Sequence, residues 1–138
     1  MTEGRVTGGC FCGAVRYSIG LPPLWVAHCH CSMCRRAQGA GFVTWVGTRE
    51  AAFVLESGAE VLGRYQSSAA ATRSFCSRCG SPLFFQSSHW PGEIHVTLAS
   101  LDSAAGLEPE AHAYWSSRAG WLAWDGGDLP KVDPAEHG

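Results

Sequence analysis

The sequence predicts a mainly β fold of short antiparallel strands with one short helical turn. Three observations predict it. Stretches rich in β-branched and aromatic residues recur every ten residues or so, parted by glycine and serine. Ala14–Ile19 alternates, with Val15, Tyr17 and Ile19 on one face, as a half-buried strand does. Only Ser32–Gln38 reads as a convincing helical piece. The 138 residues suit one domain over 1–138. Its core runs over 5–125, and Gly126, Gly127, Pro130, Pro134 and Gly138 mark 126–138 as a loosely ordered tail.

The elements follow in order. Gly8 and Gly9 free the backbone before Cys10, and Gly13 frees it after Cys12. Gly20-Leu21-Pro22-Pro23 ends the first clear strand. Leu24–His28 reads as a second strand that delivers the chain to Cys29. Ser32 is the expected N-cap of the helical turn, and Gly39 and Gly41 end it. Further strands are expected at Phe42–Val46, Ala52–Leu55, Val61–Tyr65, Thr72–Phe75, Leu83–Gln86 and Glu93–Leu98.

All seven cysteines fall into three spaced groups: Cys10 and Cys12, then Cys29, Cys31 and Cys34, then Cys76 and Cys79. Such spacing turns sulfurs toward one ion. A structural zinc takes four protein ligands, whereas a catalytic zinc keeps one position open. Cys10, Cys12, Cys76 and Cys79 make a set of four, and Cys29, Cys31 and Cys34 a set of three. The expectation is two zinc ions per chain, one closed and one open, although other pairings of the seven stay open. The closed site would tie the first strand to a late hairpin and close the sheet. Disulfides fit poorly with an odd count, close C-x-C pairs and an N-terminus, Met1–Arg5, without the apolar stretch of a signal peptide. An iron–sulfur cluster fits poorly with the C-x-C-x-x-C run. A single structural zinc with three buried thiols as small hydrophobes is the serious competitor.

Composition excludes some partners. The formal charge is −2, with ten Lys and Arg against twelve Asp and Glu, so a nucleic-acid partner is not expected. No apolar run nears the ~20 residues of a membrane span. Unpaired thiols at metal spacing fit a reducing cytoplasm. Oligomeric state is not legible.

Around the thiols, Arg35 and Arg36 would offset the site's charge or grip a substrate carboxylate, unless they are a solvated surface pair. Arg73 and Arg78 are expected to balance the closed site or face water. His30 would serve the second layer or relay a proton, while His28 is structural. His95 is expected on the opposite side of its strand from Ile94 and Val96, and nothing selects which of His89, His95 and His112 reaches the open site. Trp115, Trp121 and Trp124, beside Tyr114, are candidate walls of a pocket there. The helix amides would favour thiolate over thiol.

Three blocks then resemble a known family. Gly9-Cys10-Phe11-Cys12-Gly13-Ala14-Val15-Arg16-Tyr17, Cys29-His30-Cys31-Ser32-Met33-Cys34-Arg35 and Phe75-Cys76-Ser77-Arg78-Cys79-Gly80-Ser81-Pro82-Leu83 resemble, in order and spacing, the glutathione-dependent formaldehyde-activating family, whose domain is shared with centromere protein V. The resemblance runs from Arg5 to Asp133; Trp115, Trp121 and Asp128-Leu129-Pro130 are also typical. It implies an Mss4-like all-β fold with two zinc ions, Cys10, Cys12, Cys76 and Cys79 holding the closed site and Cys29, Cys31 and Cys34 the open one. It further implies a carbon–sulfur lyase reaction on a thiol or thiol–aldehyde adduct, with glutathione as the family's thiol.

Three functions therefore compete. A zinc held by three thiols, with its fourth position open, favours an enzyme. A non-catalytic zinc-stabilised binding module would need closed sites only. A redox or metal-storage role would predict exchangeable thiols with no dependence on a carbonyl.

Overall fold

A computed structural model describes residues 4–134. Eleven strands and one α-helix are formed: β1 (Arg5–Gly9), β2 (Arg16–Gly20), β3 (Trp25–Cys29), α1 (Ser32–Gln38), β4 (Val43–Arg49), β5 (Phe53–Ser57), β6 (Leu62–Gln66), β7 (Ala71–Cys76), β8 (Pro82–Ser87), β9 (Glu93–Thr97), β10 (Ala111–Ala113) and β11 (Lys131–Val132). They build two sheets. The smaller has the order β1-β2-β5; the larger runs β11-β10-β3-β4-β9-β8-β7-β6. The mainly β expectation holds, with two corrections.

The first concerns strand direction. β10 lies parallel to both β3 and β11, so the large sheet is mixed rather than wholly antiparallel. Ala111-His112-Ala113 carries no β-branched or aromatic run, so β propensity gives no sign of it. The second concerns the chain past Asp125, expected as a loose end. Lys131–Val132 instead pair with His112 and Ala113 at the sheet edge. The Gly126 carbonyl accepts from His112 Nε2 at 2.9 Å. Residues 135–138 lie outside the described part. β1 also pairs with β2 along five residues, where the sequence marked only a glycine-ended stretch.

The period of two sorts side chains onto two faces of the large sheet. Val26, Val46, Phe84, Ile94 and Val96 face the small sheet, where they join Val6, Tyr17 and Ile19 in the main core. Their neighbours in sequence, Trp45 and Phe85, pack in a second cluster with Cys29, Cys31, Cys34, Ala71 and Tyr114. The large sheet is thus covered on both faces, and the three central thiols lie on the face away from the main core.

Candidate metal centres and a thiol-floored cavity

The four-thiol group is built from two similar turns. Cys10 follows β1, and its carbonyl accepts from Gly13 N at 3.1 Å. Cys76 ends β7, and its carbonyl accepts from Gly80 N at 2.7 Å. Gly13 and Gly80, each directly after the second cysteine of its pair, both have φ of +82°, a conformation that glycine adopts without strain. The four sulfurs lie within 4.8 Å of one another. Cys10 and Cys12 Sγ are 3.6 Å apart, and Cys12 and Cys76 Sγ 3.8 Å. A tetrahedron of thiolates on ~2.3 Å bonds has edges of about 3.8 Å, so these separations suit a shared ion. The Ser81 hydroxyl, 3.2 Å from Cys79 Sγ, lowers Cys79 to about 5. The group joins β1 of the small sheet to the β7–β8 turn of the large one. It is therefore placed to fasten two sheets together rather than to close a single sheet.

The three-thiol group sits where β3 meets α1. Cys29 ends β3, Cys31 caps α1, and Cys34 lies one turn in. The N-cap is Cys31, not Ser32: its sulfur accepts from Cys34 N at 3.3 Å. Sulfur therefore fills the role usually taken by a hydroxyl or carboxylate oxygen. Gly39 closes the helix in the left-handed conformation, with φ of +63°. These three sulfurs also lie within 4.8 Å of one another, and Cys29 and Cys34 Sγ are 3.3 Å apart.

All three thiols are buried and floor a cavity of about 200 Å³. Its walls are Trp25, Trp45, Phe85, Trp90 and Tyr114, and its polar lining includes Arg73 and His95. The expected walls are elsewhere. Trp115 and Trp124 pack on the histidines behind the thiols, and Trp121 stands 73 % exposed over Gly41. Trp25 can lie across β4 because position 47 is glycine; a Cβ there would come within 2.2 Å of the indole.

The arginines exchange roles. Arg35 and Arg36 line a surface cleft with Ser32, Gly39 and Trp121, not the cavity. Helical geometry is the reason: with Cys34 turned inward, the next two residues are rotated about 100° and 200° away. The cation at the thiols is Arg73, on β7, whose Nη2 lies 3.7 Å from Cys34 Sγ. Its guanidinium also lies 4.9 Å over the Phe85 ring.

Hydrogen bonds from the Cys29 and Cys31 thiols, with Arg73 and the Trp45 indole, hold Cys34 far below the ordinary thiol range. Hydrogen bonding with Cys31 and Cys34, together with burial, raises Cys29. Cys34 Sγ takes the Trp45 indole N–H at 3.5 Å.

Among the histidines, His95 reaches the cavity. Its Nε2 lies 2.8 Å from Glu93 Oε1. Burial lowers its pKa, opposed by Glu93. His30 is fully buried and does not line the cavity, since alternation turns it away from Cys29 and Cys31. Its Nε2 lies 2.8 Å from His112 Nδ1. Because the Gly126 carbonyl only accepts, His112 Nε2 donates and its Nδ1 accepts. His30 Nε2 is then the donor and its Nδ1 a bare acceptor. His28 bonds Thr44 through Nδ1 at 2.8 Å, as a structural residue does.

The profile of the glutathione-dependent formaldehyde-activating enzyme family matches residues 5–117. The chain belongs to this family. A Halomonas elongata protein provisionally named as a glutathione-dependent formaldehyde-activating enzyme is 32 % identical over 122 residues, covering 83 % of this chain and 78 % of that protein. An uncharacterised lyase of Schizosaccharomyces pombe is 33 % identical over 78 residues, which span 56 % of this chain and 55 % of the relative. A crystal structure of a Rhodobacter sphaeroides protein is similar at a TM-score of 0.62 and 28 % identity, covering 91 % of this chain and 98 % of that one. Among the described residues no helix is long and apolar enough to cross a membrane.

Proposed function

We propose that this family member is a zinc-dependent enzyme that joins a thiol to an aldehyde, or splits the same carbon–sulfur bond. The observation that carries the reading is the cavity floored by three buried thiols within 4.8 Å of one another. Cys10, Cys12, Cys76 and Cys79 would hold one zinc as a closed structural site, and Cys29, Cys31 and Cys34 a second with one position left for substrate. Seven soft donors with tetrahedral sulfur spacing suit zinc better than a hard cation. A zinc ion in the open set would favour ionisation of a bound thiol and polarise a nearby carbonyl.

The chain's own residues supply the remainder. Trp25, Trp45, Trp90 and Phe85 limit water in the cavity, so a thiolate formed there is poorly hydrated and stays nucleophilic. His95 donates Nε2–H to Glu93, which leaves Nδ1 as the acceptor nitrogen. Burial keeps the imidazole neutral near pH 7, in the form that accepts a proton. His95 takes the proton of the incoming thiol. The sulfur then attacks the aldehyde carbon, the carbonyl π pair moves onto oxygen, and the proton returns to that oxygen. The product is a hydroxyalkyl thioether formed from thiol plus aldehyde with no oxidant. The reverse sequence cleaves the carbon–sulfur bond.

The test is direct. The zinc-loaded chain is mixed with formaldehyde and, in turn, with glutathione and with smaller thiols, and each S-hydroxymethyl adduct is followed by NMR exchange spectroscopy. Exchange well above the uncatalysed rate, abolished in Cys34→Ser and reduced about 10²-fold or more in His95→Gln, is the expected result. Exchange equal to that of the buffer, with glutathione and with smaller thiols alike, would contradict the reading.

A further inference from the structure

Arg73 leaves a contact unmade. Its Nη2 reaches Cys34 Sγ and its face covers Phe85, yet Nη1 is buried with no hydrogen-bond partner among the described residues. A buried donor on a charged group is costly to leave unpaired, more so against apolar aromatic walls. Cys34 Sγ occupies the neighbouring nitrogen, and because Arg73 lines the thiol-floored cavity a ligand entering there can supply the missing acceptor.

Two dimensions limit that ligand. The cavity holds about 200 Å³, below the ~300–1,000 Å³ of pockets for larger ligands. The guanidinium also lies beside the sulfurs, with Nη2 only 3.7 Å from Cys34 Sγ. A ligand sulfur beside the three thiols and a carboxylate on Nη1 can be joined by only one or two methylenes.

We infer that the cavity takes a short mercapto acid, its sulfur toward Cys29, Cys31 and Cys34 and its carboxylate on Arg73. This rests on the thiol-binding reading of the site and narrows its substrate class. A planar guanidinium suits a carboxylate better than an ammonium would, because it offers parallel donors in a fixed plane. Glutathione differs at this point: the carbonyl nearest its thiol belongs to a peptide amide, which carries no charge. Arg73 therefore discriminates between a free mercaptocarboxylate and a peptide thiol. The aromatic walls accept the short methylene spacer, and Arg73 is the lining residue whose fixed charge matches a carboxylate.

The experiment compares two ligands of one shape. The zinc-loaded full chain is titrated calorimetrically with 3-mercaptopropanoate and with its neutral amide, 3-mercaptopropanamide, and native mass spectrometry checks that zinc stays bound. The wild type is expected to bind the acid about tenfold or more tightly than the amide, the scale of a charge-assisted hydrogen bond. Arg73→Gln is expected to bring the two affinities together by weakening the acid alone. Equal affinities in the wild type, or a preference that survives in Arg73→Gln, would overturn the assignment while leaving the thiol site standing. Failure of both ligands to bind would remove the thiol site and the assignment together.

Discussion

The two thiol groups differ less in their ligands than in what surrounds them. In the four-thiol group Cys12 is exposed and Cys79 half-exposed, and the sulfurs sit in turns between two sheets. In the three-thiol group every cysteine is buried, yet a cavity leads to the sulfurs. A site with all its positions filled can stand near water because little can attach to it. A site with one position open needs walls, since its selectivity depends on what those walls admit. The contrast teaches that access to the thiols, and not only their number, distinguishes the two groups.

The largest expected effect is on the fastening. Cys76→Ser removes a fully buried thiol of the group that would hold the structural zinc between the two sheets. A structural zinc site is worth roughly 10–16 kcal/mol apparent, against a domain stability of about 5–15 kcal/mol. The variant is therefore expected to lose its cooperative thermal transition, as monitored by tryptophan fluorescence. A folded Cys76→Ser with a near-wild-type midpoint would break the comparison.

A smaller effect should follow from disturbing the walls alone. In Gly47→Ala the added Cβ meets the Trp25 indole at 2.2 Å, so the ring must leave its place. A loss of about 1–3 kcal/mol is expected from overpacking. Weaker thiol binding in calorimetry, with metal content unchanged, would show that the walls serve the open site separately from its ligands.

An effect confined to acid pH lies behind the thiols. Burial, with the His112, His28, Arg118 and Arg35 charges, pushes His30 down to about 4 from the ordinary 6.5. As pH falls below about 6.5 the unfolded chain takes up this proton before the folded chain does. Stability is therefore lost between pH 6.5 and about 4, with no further loss from this group below that. Denaturant midpoints across this range should fall less steeply in His30→Phe than in the wild type. Parallel slopes would remove His30 from the account.

Local features of the sequence were the legible ones. Strands rich in β-branched and aromatic residues lie where expected to within a few residues, and α1 occupies Ser32–Gln38. The cysteine groups needed only spacing along the chain. What escaped depends on neighbours across strands. Arg73 stands 39 residues from Cys34 in sequence, and nothing near it signals a thiol. Arg35 and Arg36 drew attention because they follow Cys34, but adjacency on a helix turns a residue away. Trp25, Trp45 and Trp90 wall the cavity because β3, β4 and the β8–β9 turn converge there, whereas the late tryptophans follow β10 behind the thiols. His95 was placed correctly on the face opposite Ile94 and Val96, but that this face is the cavity required the sheet order. β10 and β11 are too short to announce themselves; β3 offers β10 an edge, and β10 in turn offers one to β11.

The most direct test of the central claim is a metal count. Native mass spectrometry of the reduced, untagged chain should show two zinc ions in the wild type and one in a folded Cys31→Ser. A single zinc in the wild type, unchanged by Cys31→Ser, would contradict the account and leave three buried thiols beneath an aromatic cavity with no ion to hold.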